Sequence, residues 1–314
     1  MRILHISDLH IKKQLGPRDA AVLTRLYDFL KANAKDRQFD HIAITGDLRD
    51  AKEPTQAPGV DEVVAVLEEI ASAANISEKC RIHIVPGNHD RTNGVTNEQK
   101  MSKVKDRYDP PNGIFTDTEE MHNCFREFFL PLCEKFYGSA NPWQTDEDSF
   151  HTMHIDGDDA FIYLNSCIVS IDRKFDNDLL LGVNFYVRPL IEMTKDAKRV
   201  FILAHHPIQN LATAEEQCLA TLIKPHSGRQ AFYWLCGDAH KDHATEGKDY
   251  IRLRQVGTVM GSSKGNETTP EFAIYDVPEK KRRLFRFVPH LNCTPTTTHK
   301  GGWKRVFENR LSEE

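Results

Sequence analysis

Residues 2–10 read Arg2-Ile3-Leu4-His5-Ile6-Ser7-Asp8-Leu9-His10, an apolar run that ends abruptly in a carboxylate and an imidazole. Such a run predicts a strand over 2–7 whose carboxyl end carries Asp8 and His10. The same spelling returns twice. A strand over 41–45 leads into Gly46-Asp47, and one over 81–85 leads into Gly87-Asn88-His89-Asp90. Between these strands Val22, Leu23, Leu26, Tyr27 and Leu30 recur at helical spacing, as do Val60, Val63, Val64, Leu67, Ile70 and Ala71. Strand–helix–strand alternation of this kind builds βαβ units and a parallel sheet covered by helices.

Beyond Asp90 the pattern breaks into a polar stretch containing Asp109-Pro110-Pro111-Asn112-Gly113. A stripe of Met121, Cys124, Phe125, Phe128, Phe129, Leu132 and Phe136 follows, with Pro131 inside it. The stripe predicts helix that packs into the core or lids a substrate site; proline demands a kink or a junction of two helices. Strands resume at 150–155 and 160–165, then a helix over 185–196 and a strand over 199–204 that ends in His205-His206-Pro207. A helix over 213–223 precedes a strand over 232–236 and Gly237-Asp238-Ala239-His240. The stretches 250–256, 271–277 and 283–289 are strand-like and are expected to complete a second sheet as C-terminal meanders. Lys300, Lys304, Arg305 and Arg310 around Trp303 and Phe307 read as a basic, aromatic tail. The resulting organisation is a domain over 1–290 with a helical insertion or cap at about 92–148, then the tail at 291–314.

At 314 residues, with 39% apolar and 28% charged, the chain can bury a full core without disulfide or metal staples. A net charge of −5 sets up no overall field toward nucleic acid or anionic lipid. No run approaches the ~20 apolar residues of a membrane span, and the opening run is too short for a secretory segment. Seven cysteines, an odd number without C-x-x-C spacing, read as reduced thiols of a cytoplasmic protein.

The chemistry-bearing residues fall at the carboxyl ends of five predicted strands, which is where open α/β sheets bind ligands. So many ionisable groups in one crevice would cost several kcal/mol in repulsion and desolvation without a counter-ion. A bound cation is the economical explanation. Carboxylate, imidazole and amide oxygen without thiolate suit manganese first, then iron, zinc or magnesium. The donors outnumber one octahedron.

This series resembles the calcineurin-like metallophosphoesterases, whose signature runs D-x-H, G-D, G-N-H-D/E, a strand-terminal His, and G-H-x-H. The match extends from Asp8 to His240 and is closest in spelling to the cyclic-nucleotide phosphodiesterase and nuclease branches. The resemblance implies a four-layer αββα sandwich of two mixed sheets flanked by helices. It implies two divalent cations, one on Asp8, His10, Asp47 and His240, the other on Asp47, Asn88, His205 and Asp238, with Asp47 bridging. A hydroxide shared by the cations would attack phosphorus. His89 would protonate the leaving oxygen, and Asp90 would orient its imidazole. Asp238 stands where the family usually has histidine; a carboxylate there adds negative charge and hardens the second site toward manganese or magnesium.

Among the remaining residues, His5 reads as a buried strand residue and His243 as a loop residue. His206 reads as a support of the site or a contact to substrate. Arg49 and Arg91 follow metal motifs closely and are candidates to grip a phosphate through a bidentate fork. The expected function is a binuclear-metal phosphodiesterase acting on nucleotide or cyclic-nucleotide esters. The alternatives are a nuclease, with the tail following a nucleic-acid strand, a phosphomonoesterase such as a protein phosphatase, and a non-catalytic protein-binding scaffold. Phosphatases usually spell Gly-Asn-His-Glu and carry Gly-Asp-x-x-x-Arg-Gly, neither of which is present. The scaffold reading is disfavoured by the intact His89. Nothing in the sequence decides the oligomeric state.

Overall fold

The computed structural model describes residues 1–51, 57–91, 102–116, 118–143, 150–170, 178–238, 243–246, 251–260, 270–277, 281–288 and 302–310. The first three strands are β1 (Arg2–Ile6), β2 (His41–Thr45) and β3 (Ile82–Val85), parallel to one another as the βαβ spelling demands. Helices α1 (Pro17–Asp36) and α2 (Val60–Ala73) make the crossovers. Pro17 opens α1, where its missing N–H costs nothing.

Two six-stranded mixed sheets face each other. The first has the order β14-β13-β12-β1-β2-β3, with β12 (Glu271–Asp276), β13 (Lys281–Val288) and β14 (Gly302–Arg310) as an antiparallel meander on the open edge of β1. The second has the order β10-β11-β9-β8-β7-β6. In it β7 (Asp159–Leu164), β8 (Arg199–Leu203), β9 (Ala231–Cys236) and β11 (Ile251–Gln255) are parallel. The antiparallel β6 (His151–Asp156) and β10 (His243–Glu246) close its two edges. A small hairpin, β4 (Tyr108–Asp109) and β5 (Ile114–Phe115), stands apart.

Period-2 alternation explains the layering of the second sheet. Phe161, Tyr163, Phe201, Leu203, Tyr233 and Leu235 enter the core between the sheets. Their neighbours Ala160, Ile162, Leu164, Val200, Ile202, Phe232 and Trp234 enter a separate core. That outer core includes Val187 and Ile191, beside and within α5 (Arg188–Met193), and Leu219 and Ile223 of α6 (Thr213–Ile223). Buried on both faces, these strands carry near-continuous apolar sequence. Across the inter-sheet core His83 of β3 stacks on Phe161 of β7 with centroids 3.8 Å apart, and Tyr163 Oη lies 2.7 Å from His83 Nδ1. The architecture is the expected αββα sandwich.

The apolar stripe of the insertion is core. Met121, Phe128, Phe129 and Leu132 are almost fully buried and join the inter-sheet cluster. Two helices, α3 (Thr118–Arg126) and α4 (Phe129–Tyr137), meet at residues 127 and 128, upstream of Pro131. The reason is steric: a proline at 131 cannot donate to the carbonyl at 127, so the helix restarts where Pro131 lies in a first turn. The insertion also covers the outer edge of β3, where Tyr137 Oη donates to Ile82 O (2.7 Å) and Trp143 Nε1 to Ile84 O (3.0 Å). An edge strand capped in this way offers fewer free carbonyls to other chains.

Three expectations about the C-terminal third are corrected. The strands β12 and β13 complete the first sheet, because β1 has a free edge beside β2, while β11 alone of the three joins the second. Residues 302–310 pair with β13 as β14, so that much of the expected tail is sheet; residues 291–301 and 311–314 lie outside the described residues. His243 opens β10, paired with Gln255, and is not a loop residue.

Candidate metal centre

The parallel strands end together, and the loops beyond them are tied by a backbone ladder that outlasts the strands. Asp8 N donates to Gly46 O (3.0 Å), His10 N to Asp47 O (2.9 Å) and Gly237 N to His205 O (2.9 Å). These loops need unusual backbone. Asp8, His10, Asp47 and Asp238 all have positive φ (53°, 43°, 52° and 66°), and Asn75 is the one other non-glycine residue so held among the described residues. Aspartate and histidine tolerate this region better than most residues, and such strain persists where surrounding structure enforces it. Glycine is required where the loops touch: a Cβ on Gly87 would lie 2.1 Å from Asp47 N and 2.2 Å from its Oδ1.

Around these loops gather Asp8, His10, Asp47, Asn88, His89, His205 and Asp238. Potential ligand atoms of Asp8, Asp47 and His205 lie within 4.8 Å of one another, as do those of His10, Asp47 and His89, and those of His205, His206 and Asp238. His205 Nδ1–H donates to Thr45 O (2.8 Å), which leaves Nε2 with its lone pair in the neutral ring. Three acceptor oxygens face that nitrogen: Asn88 Oδ1 at 3.1 Å, Asp47 Oδ1 at 3.5 Å and Asp238 Oδ1 at 3.7 Å. Acceptors arranged around an acceptor need a cation or a proton between them. Ligand atoms ~2.0–2.2 Å from one ion sit about 3–3.6 Å apart, so the spacing fits a shared divalent metal. His10 Nε2, 3.8 Å from Asp8 Oδ1 and 3.7 Å from Asp47 Oδ2, repeats the arrangement on the other side of Asp47.

The electrostatics agree. Burial disfavours a charge on His205, but Asp47, Asp8 and Asp238 outweigh it and raise its pKa to about 9. Burial pushes the Asp47 carboxyl upward, reinforced by Asp8 and Asp238 and opposed by His205 and by the N–H of His89. Without a cation, protons therefore do the balancing; a metal would displace them.

Several expected residues take other parts. Asp90 does not meet the His89 ring. Its carboxylate accepts backbone N–H groups of Gly87 (2.8 Å), Leu48 (2.9 Å) and Arg49 (3.3 Å), sewing the Gly87–Asp90 loop to the loop after Asp47. A short helical turn at Asn88–Asp90 exposes those donors, which is why the carboxylate turns back to them. Asp50 instead lies beside the ring, its Oδ1 3.9 Å from His89 Nδ1, and Ala51 N donates to that nitrogen (3.3 Å). The sequence signal for Asp50 was its place three residues after Asp47. Arg49 is turned away from the donors toward carbonyls and the Phe128 ring. Arg91 is nine-tenths buried, its charge bears on His206 and Cys167, and among the described residues its Nη1 has no hydrogen-bond partner. His206 is held by Ser166, whose Oγ lies 2.9 Å from its Nδ1 and accepts its backbone N–H at 3.1 Å. Burial is the chief cause that lowers its pKa to about 4 and keeps the ring neutral. Thr258 and Ser7 were missed: Thr258 Oγ1 lies 2.7 Å from Asp8 O, and Ser7 Oγ donates to Thr45 O (3.0 Å). His240 lies outside the described residues.

The family model of calcineurin-like phosphoesterases matches residues 1–242. The chain belongs to the calcineurin-like phosphoesterase family. It is 23% identical over 287 residues to the metallophosphoesterase-like protein YydB of Bacillus subtilis (strain 168), covering 88% of this chain and 56% of that protein. This chain thus spans about half the length of that relative. A dimetal phosphatase from Danio rerio superposes with a TM-score of 0.53 at 10% identity, covering 91% of this chain and 95% of that one, a likeness of fold.

Proposed function

We propose that the chain is a metal-dependent phosphohydrolase that cleaves phosphodiesters of nucleotide or cyclic-nucleotide type in the cytoplasm. The observation that carries this reading is the ring of Asn88, Asp47 and Asp238 oxygens around His205 Nε2, whose other nitrogen is locked onto Thr45. Asp8, His10 and Asp47, with His240, would hold one divalent cation; Asp47, Asn88, His205 and Asp238 would hold the second. When bound, such a pair polarises phosphoryl oxygens and makes water a nucleophile at neutral pH. The carboxylate of Asp238 in place of an imidazole favours manganese or magnesium.

The chain's own residues supply the rest. Because Ala51 N–H donates to Nδ1, the neutral His89 ring carries its proton on Nε2, which lies 3.9 Å from Asp47 Oδ2 and so faces the metal donors. From there it can donate to the departing oxygen. Protonation of Nδ1 replaces the bond from Ala51 N–H and turns that proton toward Asp50; transfer from Nε2 of this charged ring to the departing oxygen leaves a neutral ring protonated on Nδ1. The buried Arg91, whose Nη1 has no hydrogen-bond partner among the described residues, is suited to a phosphoryl oxygen. The motif spelling of residues 4–10, 44–47 and 85–90 favours diesters. Of the basic, aromatic tail on which the nuclease reading rests, residues 302–310 form strand β14 against β13. Cys80, Cys133, Cys167, Cys218 and Cys236 are thiols, in keeping with a reducing compartment.

The deciding experiment incubates the manganese-loaded protein with bis(p-nitrophenyl) phosphate, cyclic AMP, p-nitrophenyl phosphate and single-stranded DNA, with Asp47→Ala as blank. Diester turnover that the blank lacks supports the proposal. Turnover of the monoester alone would reassign the substrate, and no turnover beyond the blank on any ester would overturn the enzymatic reading.

A further inference from the structure

Arg49 sits between the candidate centre and the helical insertion, held on both sides. Its backbone N–H donates to Asp90 Oδ1 (3.3 Å), its Nε to His89 O (3.2 Å) and its Nη2 to Arg91 O (3.3 Å). Its guanidinium carbon lies 3.8 Å from the centroid of the Phe128 ring. Phe128 is the junction between α3 and α4, with φ −137° and ψ −62°, and is almost fully buried. A guanidinium over an aromatic face gains cation–π attraction, and its N–H groups leave in a rigid plane. Here that plane meets two alternate carbonyls of the loop that presents Asn88 and His89. A lysine in the same place could keep the charge but not donate to both carbonyls from one planar group.

We propose that Arg49 is a positioning residue that couples the helical insertion to the loop Gly87–Arg91, so that the packing of Phe128 sets where His89 stands. The expected phosphate contact of Arg49 is thereby replaced by a structural linkage. Displacement of the Phe128 ring tilts the guanidinium and shifts both carbonyls, moving the His89 imidazole relative to Asp47. The insertion then tunes the site without touching substrate. The catalytic consequence rests on the proposed phosphohydrolase reading; the linkage itself does not.

The test uses Arg49→Lys, Phe128→Leu, their double variant, and Phe128→Tyr, which retains the ring face. In the metal-free protein, amide hydrogen exchange in the segments 47–51 and 87–91 is expected to quicken about tenfold in Arg49→Lys and Phe128→Leu, with β7 and β8 unchanged. Phe128→Tyr should exchange as wild type. In the manganese-loaded protein, kcat on bis(p-nitrophenyl) phosphate should fall about 10- to 100-fold in each single variant, the range typical of residues that hold others in place. KM should stay within about twofold, and the double variant should be no worse than the poorer single, since both break one linkage. Unchanged exchange in Arg49→Lys, or additive losses in the double variant, would overturn the proposal. If the wild-type protein cleaves no ester, the phosphohydrolase reading fails, and the exchange measurement still decides the linkage.

Discussion

Replacing Asp90 by asparagine distinguishes the two parts this carboxylate could play. In the structure it is fully buried and accepts N–H groups from Gly87, Leu48 and Arg49 at 2.8, 2.9 and 3.3 Å. An asparagine keeps one carbonyl oxygen and turns an amide NH2 toward at least one of those donors. One charge-assisted bond is lost and one buried N–H is left facing another donor, each worth ~1–3 kcal/mol, so the expected destabilisation is about 2–6 kcal/mol. Asp90→Ala, which strands three N–H groups, should cost at least as much. Against a typical total of ~5–15 kcal/mol this is a large fraction. Urea unfolding of the metal-free protein, followed by the fluorescence of the buried Trp143 and Trp234, should show a midpoint lower by roughly 1 M or more. Activity should fall with it, because the loop that presents Asn88 and His89 is loosened. Were Asp90 the group that orients the His89 ring, Asp90→Asn would unfold at the wild-type midpoint while losing turnover; that result would refute the reasoning.

Four further outcomes are expected. Asp50→Asn should lower kcat about 10- to 100-fold and move the alkaline limb of the pH profile to lower pH with little change in urea midpoint, because Asp50 Oδ1 lies 3.9 Å from His89 Nδ1 and asparagine keeps the backbone bond from residue 50 N to Ile11 O; an unchanged profile would return the orienting role to another group. Gly87→Ala, whose methyl would lie 2.1 Å from Asp47 N, should abolish tight metal uptake measured by elemental analysis, and normal uptake would show that the two loops can part to admit a methyl group. Burial lowers the pKa of His5 to about 3 and of His151 to about 4, below the ordinary 6.5. With His41 and His206, whose pKa burial likewise lowers to about 4, their contribution to stability is complete above pH 6.5 and lost as pH falls from there toward 4, so the urea midpoint should fall as pH is lowered from 6.5 to 5. Stripping divalent metal should lower the thermal midpoint, by an amount equivalent to about 2.7 kcal/mol when the free ion stands at a hundred times its Kd, and Asp47→Ala should show almost none of this difference.

The strands were legible because each carries its signal locally. An apolar run that stops at a carboxylate or imidazole, as at Ile6-Ser7-Asp8 or Ile44-Thr45-Gly46-Asp47, records both the strand and its functional end. What was not legible depends on partners distant in sequence. Nothing within 271–277 says that β12 will pair with β1 and not with the second sheet; that choice follows from which edge is open once β2 and β3 have taken the other side. The surroundings of Asp90 and Arg49 are hard to read from the sequence for a related reason. Their neighbours in sequence suggest a ring and a phosphate, whereas their neighbours in space are the N–H groups of residues 48, 49 and 87 and the face of Phe128. Unsatisfied backbone near a tight turn competes for a side chain more strongly than sequence adjacency suggests.

The same loops show why the donors cluster there without collapsing into simple ion pairs. Four of them have backbone in the left-handed region, and a direct bond between His10 and Asp8 or Asp47 would need less than the 3.7–3.8 Å that separates them. Both features cost free energy in a protein that gained nothing from a cation. The backbone ladder from Asp8 to Gly46 and from His10 to Asp47 holds the groups apart, and the Asp90 carboxylate fixes the third loop against the second. Relaxing the ladder would let His10 close on a carboxylate, which would stabilise the empty protein and weaken its hold on metal. Rigidity of these loops, alongside the identity of the ligands, would therefore keep the candidate centre open to a cation.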